Sequence, residues 1–294
     1  MFGKRLINTN IPSPEGDPDP SSLTLQSSVL IPGGTYGFSS YALNKVGGGK
    51  FFMLKNRGFD AGSVSVVTLN GFDLNSITSV SDSTNFYMGY YAAVIAASPD
   101  GSKLASTGYQ NSNNNQFIST FSIGNPFTPP TTFSNNASRP FAGSNTLDFN
   151  QDGTKIYYMN GTILYERNLS IPFEASSQGA ITTINLASIS SETMPTHPNN
   201  GWYPLESRWS YGGTTFYITM YNLVSSSSVS TSLKAYNASV PFSINSLVQR
   251  NPSTNLNIPQ INGSNPGMSI SQDGHFLLGV QPNNGGNQEL YMFA

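Results

Sequence analysis

Ile95-Ala96-Ala97-Ser98-Pro99-Asp100-Gly101-Ser102-Lys103-Leu104 decides the fold, because the pattern returns twice. It recurs as Leu147-Asp148-Phe149-Asn150-Gln151-Asp152-Gly153-Thr154-Lys155-Ile156 and as Met268-Ser269-Ile270-Ser271-Gln272-Asp273-Gly274-His275-Phe276-Leu277. Five residues before each Asp stand Ile95, Leu147 and Met268; three before stand Ala97, Phe149 and Ile270; four after stand Leu104, Ile156 and Leu277. Apolar residues two apart share one face of a strand. Each copy therefore reads as strand, tight polar turn, strand, with Asp-Gly supplying the positive φ of a two-residue hairpin.

Two degenerate copies extend the series. Gly48-Gly49 has Leu43 before it and Phe52 after it, and Gly212-Gly213 has Trp209 before it and Phe216-Tyr217 after it. Gly-Gly meets the same turn geometry. The anchors at 48, 100, 152, 212 and 273 lie 52, 52, 60 and 61 residues apart. That period suits a four-stranded propeller blade with long loops, whereas a sandwich of unrelated hairpins has no fixed period.

A second signature follows the first four anchors: Gly71-Phe72-Asp73-Leu74, Asn125-Pro126-Phe127-Thr128, Ile171-Pro172-Phe173-Glu174 and Val240-Pro241-Phe242-Ser243. Each follows a β-rich run (63–70, 116–123, 162–169 and 232–238). Proline cannot donate to a ladder, so it marks the strand exit, and the Phe is expected to pack between neighbouring blades. Ile77–Val80 and Ile181–Ile184 then read as outermost strands. The fifth copy ends with a third strand at Glu289–Phe293, and its missing outer strand has a donor in Ser22–Gln26. Pairing the two closes the ring without a free edge. The expected fold is all-β: a five-bladed β-propeller over residues 22–294 closed by an N-terminal strand, with an extended, Pro-rich N-terminal arm over 1–21. That arm either packs on its own propeller or anchors the chain in a larger assembly.

Composition narrows the function classes. The chain has 294 residues, 37% hydrophobic and 12% aromatic, enough for a sizeable core. Only 10% are charged, against roughly 25% in an average soluble domain, so Ser, Thr, Asn, Gln and Gly must cover the surface. This profile suits extracellular lectins, secreted carbohydrate enzymes and virion proteins. Net charge is −2 without a basic run, which leaves no electrostatic footprint for nucleic acid. No apolar stretch is long enough for a membrane span. The opening residues lack an apolar h-region and cleavage site, so no signal peptide is expected, or one has been removed. Cysteine is absent, which excludes disulfides and thiolate metal sites.

Catalytic motifs are sparse. The two histidines, His197 and His275, are far apart in sequence, and no zinc or calcium spacing occurs. No cofactor or metal is expected. Gly47-Gly48-Gly49-Lys50 precedes no helix pattern, so it reads as a hairpin turn rather than a phosphate cradle. No G-x-S-x-G nucleophile motif is present. Five-bladed propellers include glycosidases, which need carboxylates converging about 5–9.5 Å apart. Asp148 and Glu206 fall on inner strands of adjacent blades and are the candidate pair, while Asp100, Asp152 and Asp273 serve turns. Trp202, Tyr203, Trp209 and Tyr211 are candidate sugar-stacking rings, with inter-blade packing as the competing role. Long polar segments at 110–115, 189–200 and 281–287 are loops that either carry function or are solvated tips.

Two features carry a family resemblance. Lys4-Arg5-Leu6-Ile7-Asn8-Thr9 resembles the starts of tailed-bacteriophage virion proteins. The units Gly71–Val80 and Val240–Val248 resemble repeats in propeller-like structural proteins of aquatic phages, and Ser98–Gly101 resembles the turn of WD-repeat and TolB-type propellers. The resemblance implies a non-enzymatic virion component of tail, fibre, neck or capsid surface, the propeller serving as a rigid docking or host-surface-binding module. It implies that residues 1–21 bind other virion proteins, with Lys4, Arg5, Leu6 and Ile7 as anchors, and that a host-surface glycan is a further candidate partner. The large extra domains of tail nozzle proteins are not expected from these 294 residues, which leaves the place in a virion open. The alternative is a secreted, extracellular lectin or glycoside hydrolase.

Overall fold

Strand pairing in the computed structural model sorts the chain into five antiparallel sheets. The residues described are 17, 23–31, 41–43, 49–55, 63–82, 90–109, 116–128, 136–137, 146–190, 204–225, 228–250, 254–255, 267–272, 274–280 and 288–294. The first strand, β1 (Leu25–Ile31), is set aside for the last blade. Blade 1 comprises β2 (Tyr41–Leu43), β3 (Lys50–Lys55), β4 (Ser63–Leu69) and β5 (Ile77–Asp82). Blade 2 comprises β6 (Tyr90–Ala97), β7 (Lys103–Tyr109), β8 (Gln116–Ser122) and β9 (Asn136–Ala137). Blade 3 comprises β10 (Asp148–Phe149), β11 (Lys155–Asn160), β12 (Ile163–Leu169) and β13 (Gln178–Asn185), followed by the single-turn helix α1 (Leu186–Ile189). Blade 4 comprises β14 (Pro204–Trp209), β15 (Thr215–Ser225), β16 (Ser228–Ala238) and β17 (Leu247–Gln249), and β18 (Thr254–Asn255) also pairs with β16. Blade 5 comprises β19 (Gly267–Ile270), β20 (Phe276–Val280) and β21 (Gln288–Phe293), completed by β1.

The inner strands touch in the cyclic order β2, β6, β10, β14, β19 and back to β2, so the sheets form a closed five-bladed β-propeller. Closure uses the N-terminal strand as expected, but further along the chain. Leu25 pairs with Phe293 and Ile31 with Gln288, and Thr24 and Ala294 exchange backbone hydrogen bonds of 3.0 and 3.1 Å.

Each gap between blades holds one apolar cluster. In β11, Ile156 and Tyr158 face blade 2, whereas Tyr157 and Met159 face blade 4. In β3, Phe51 and Met53 face blade 5, and Phe52 and Leu54 face blade 2. Both faces of a second strand are therefore buried, which is why these stretches are continuously apolar and not alternating. The outer β13 is solvated instead, with Ile181 46% exposed.

The two repeated signatures meet in one device. Gly101, Gly153 and Gly213 have φ of 71°, 72° and 71°. A β-carbon on them would lie 2.1 to 2.3 Å from the rings of Phe127, Phe173 and Phe242 respectively. Each of these Phe residues donates its backbone N–H to the carbonyl of the same glycine, at 3.1, 2.9 and 2.9 Å. The Phe residues themselves adopt φ of 49°, 60° and 58°, a left-handed conformation that costs roughly 1–2 kcal/mol outside glycine. That strain persists because the surroundings over-determine it. Each ring also meets the preceding interface: Phe127 stacks on Phe52 at 4.9 Å, Phe173 meets Phe149 edge-on at 5.3 Å, and Phe242 meets Trp209 at 5.6 Å. The expected packing of these Phe residues between blades is observed.

The turn itself differs from the two-residue hairpin expected. Ser98 exchanges backbone hydrogen bonds with Lys103 only on the N–H side, at 2.9 Å, and Gly101 donates to the Ser98 carbonyl at 2.9 Å. Four residues form the loop, and only the glycine is left-handed. Asp100 contributes through its side chain: Oδ1 accepts from Ser98 Oγ, Ser102 N and Ser102 Oγ at 2.6, 3.0 and 2.9 Å. Asp152 Oδ1 likewise accepts from Asn150 Nδ2, Thr154 N and Thr154 Oγ1. Two registers also shift. Leu43 pairs with Phe51, as Ala97 does with Leu104, so blade 1 has a longer turn and Leu43 corresponds to Ala97 and not to Ile95. Ile270 pairs with Phe276, so the blade-5 turn is one residue shorter and Phe276, not Leu277, corresponds to Leu104.

Gly153→Ala should lower the unfolding free energy by roughly 2 kcal/mol or more, through a strained φ and the clash with Phe173. Adding Phe173→Ala removes the clash, so urea titration of the set should show strong non-additivity; additive losses would sever the coupling. Burial raises the pKa of Asp100 and Asp152, but the hydrogen bonds from Ser98 and Ser102, or from Thr154 and Asn150, outweigh it and hold both below the usual value. A depressed folded-state pKa gives stability that is present above the unfolded value of about 3.9 and lost as pH falls through the folded one. Asp100→Asn with Asp152→Asn should therefore flatten stability against pH below about 4; an unchanged acid limb in melts from pH 6 to 2 would contradict this.

Candidate functional site

The inner strands carry backbone groups on a free edge, and buried groups of this kind require partners. One ion pair from β14 supplies them. Arg208 is 2% exposed and Glu206 1%. Arg208 Nη2 donates to Glu206 Oε1 and to the Ile95 carbonyl of blade 2, the latter at 2.9 Å. Arg208 Nη1 donates to the Leu147 carbonyl of blade 3 and, at 2.9 Å, to the Ser207 carbonyl of its own blade. Glu206 Oε2 accepts from the Met268 N–H of blade 5 at 3.2 Å. Ile95, Leu147, Ser207 and Met268 all stand five residues before their turn anchors. The guanidinium thus lies across the ring axis at one level, and the pair ties four inner strands together.

The second candidate carboxylate acts in the same way. Asp148, 2% exposed on β10, accepts at Oδ2 from the Trp209 N–H of the next inner strand at 2.7 Å. In both cases the amide that donates stands one repeat position after that of the carboxylate it reaches. Asp148 and Glu206 do lie on neighbouring inner strands as expected. Each is bonded to the backbone of the following blade, and Glu206 is further neutralised by Arg208. This arrangement fixes the spacing of strands, since buried pairs persist only when their remaining lone pairs and protons are satisfied.

A third polar bridge lies further out. Glu166 on β12 pairs with Lys155 at 2.7 Å and accepts from the Ile244 N–H of blade 4 at 3.2 Å. Burial, with Glu166, Asp148 and Asp152 nearby, pushes the Tyr157 phenol far up. It stays protonated and donates to the Phe242 carbonyl at 2.6 Å.

The aromatic candidates divide. Trp209 is fully buried against Tyr157, Phe216 and Phe242, so its ring offers no face to a sugar, and Nε1 has no acceptor among the described residues. Its core role corrects the stacking role. Tyr211 is half-buried in the blade-4 turn. Trp202 and Tyr203, the anchors Lys4, Arg5, Leu6 and Ile7, and His197 lie outside the described residues. His275 stacks on Phe72 with centroids 4.6 Å apart, a contact between blades 5 and 1. Among the described residues no cluster of three or more His, Asp or Glu is placed to hold a metal ion, and no helix is long and apolar enough to cross a membrane.

Sequence reasoning passed over Arg208, because one arginine inside an inner strand has no repeat partner to flag it. It also missed the serine four residues after the Phe: Ser76, Ser177 and Ser246 each bridge both backbone groups of one residue, Asn70, Ile171 and Val240 respectively. The spacing itself stands in the sequence as Phe72/Ser76, Phe173/Ser177 and Phe242/Ser246.

Arg208→Met should cost about 3–5 kcal/mol, because it strands a buried carboxylate. Arg208→Met with Glu206→Gln should cost less than Arg208→Met alone, and guanidinium unfolding curves would show it. Equal or greater loss in the double variant would remove the ion pair from this role.

No protein-family model matches the sequence, and no curated protein sequence is detectably similar to it. Solved structures do share its shape. The endo-arabinase from Bacteroides thetaiotaomicron superposes with a TM-score of 0.53 at 12% identity, over 89% of this chain and 95% of that one. Hydrazine synthase of Kuenenia stuttgartiensis gives a TM-score of 0.40 at 13% identity over 82% of this chain, and the β-propeller domain of the Trilobed protease from Pyrococcus furiosus gives 0.32 at 11% over 84%. The chain spans 61% and 65% of those two chains. At such identities the likeness to the endo-arabinase speaks to fold alone, and the fold is a β-propeller.

Proposed function

We propose that the protein is a non-enzymatic structural component of a tailed-phage virion, in which the propeller is a rigid docking or host-surface-binding module. The observation that carries the non-enzymatic part is the engagement of Glu206 by Arg208 and the Met268 N–H at the ring axis. A glycosidase would need that carboxylate open to substrate. The virion part draws on the resemblance of residues 4–9 and of the Phe-centred repeats, and on a surface poor in charge. Other virion proteins, met through residues 1–21, are the partners this reading names.

The second reading is a secreted carbohydrate-binding or carbohydrate-cleaving propeller. It draws on Asp148 and Glu206 occupying neighbouring inner strands and on a fold shared with an endo-arabinase.

Deleting residues 1–20 in a phage that encodes the protein should abolish its incorporation into particles. Full incorporation without them would sink the tether. On a glycan panel the purified chain should release no reducing ends. Hydrolysis abolished by Asp148→Asn or Glu206→Gln would establish the enzyme instead.

A further inference from the structure

Blade 4 breaks the turn pattern at one atom, and another part of the chain repairs it. In blades 2 and 3 a turn aspartate gathers three donors onto a single carboxylate oxygen: the side chain two residues before it, the hydroxyl two residues after, and the amide of that same residue. Blade 4 keeps the flanking donors as Ser210 and Thr214 but has Gly212 at the aspartate position. The carboxylate is nonetheless present. Asp17, 193 residues earlier in sequence than Ser210, places Oδ2 at 3.0 Å from Ser210 Oγ. The same oxygen accepts from Thr214 Oγ1 and, at 2.6 Å, from Thr215 Oγ1. Ser210 Oγ also accepts from Thr215 N at 3.1 Å, just as Ser98 Oγ accepts from Lys103 N at 2.9 Å. Two of the repeat's three donors thus meet a carboxylate from outside it, with the Thr215 hydroxyl as the third. Arg250, which follows β17, adds a hydrogen bond from Nη1 to the Asp17 carbonyl at 3.0 Å.

We propose that the blade-4 turn is a carboxylate-binding notch whose ligand is Asp17 of the chain's own N-terminal arm. The donors select a carboxylate: three hydroxyls converge on one oxygen, and charge-assisted hydrogen bonds of this type are stronger than neutral ones. Thr215 adapts the notch, because blades 2 and 3 carry Lys103 and Lys155 at that position, each pointing its ammonium elsewhere, to Glu174 and to Glu166. The latch lies on blade 4 while β1, eight residues further on, completes blade 5. Asp17 and β1, close together in sequence, therefore engage two adjacent blades. The inference stands independently of any role in a virion.

Gly212 provides a decisive test. A β-carbon there meets nothing within 4 Å and its φ is not left-handed, so Gly212→Asp can restore the turn's own carboxylate. Four versions of the full chain are compared by hydrogen exchange of peptides spanning residues 17–24 and by thermal melts: wild type, Asp17→Ala, Gly212→Asp and the double variant. Asp17→Ala should speed exchange about tenfold, the loss expected for a charge-assisted hydrogen bond, and lower the melting temperature. Gly212→Asp should speed the same exchange by displacing the arm, yet melt no lower than wild type. In the double variant Asp17→Ala should add nothing further to either readout. Unchanged exchange in Asp17→Ala, or independent effects of the two substitutions, would overturn the latch. Thr214→Val gives a second route should Gly212→Asp fold poorly: it should reproduce Asp17→Ala in exchange, and wild-type exchange there would equally overturn the proposal.

Discussion

The propeller depends on a left-handed phenylalanine held over a turn glycine. Three such pairs, Phe127 on Gly101, Phe173 on Gly153 and Phe242 on Gly213, join the first hairpin of a blade to the exit of its third strand. Each ring then reaches the interface with the blade before. A single side chain therefore sets the turn, the path to the outer strand and the spacing to a neighbour. The strain of φ near 50° to 60° on a bulky residue is offset by ring burial of the order of 2 kcal/mol and by the backbone hydrogen bond. Blade 1 reaches the same end differently: its link from β4 is shorter, and the left-handed residue is Gly71, just before Phe72.

A second constraint acts at the axis. Apolar clusters fill the gaps between blades, but the inner edges present carbonyls and amides that such clusters cannot satisfy. Arg208 and Glu206 gather those of four blades, and Asp148 adds a second link between blades 3 and 4. Carboxylates on inner strands are thus explained by architecture. The same logic places Glu166 and Thr120, which accept from the amides of Ile244 and Ala175 across the blade boundary. In both cases a buried polar residue on one blade's third strand meets the connection to the next blade's outer strand.

The repeat is readable because a turn glycine stands in all five copies and the Phe signature in the first four. Blade count, strand order, ring closure and the inter-blade place of Phe127 could all be inferred from them. What could not be read was how the two signatures touch, since contact across 20 to 30 residues leaves no mark in spacing. Registers in blades 1 and 5 depart from the repeat spacing because their turns are one residue longer and one shorter, and a strand slip of one reverses every face. Trp209 looked like a ligand platform only because its neighbours Tyr157 and Phe242 come from distant stretches. Asp17 stood in a Pro-rich segment with no periodicity, and its significance exists only beside the missing aspartate at Gly212.

Native-state hydrogen exchange at three loop amides tests the central claim most directly. Phe127, Phe173 and Phe242 lie outside every strand, where ordinary loop amides exchange rapidly. If each N–H is held by its turn glycine, all three should be protected to the level of amides in β7, β11 and β15. Exchange of these amides at the rate of an open loop would contradict the account.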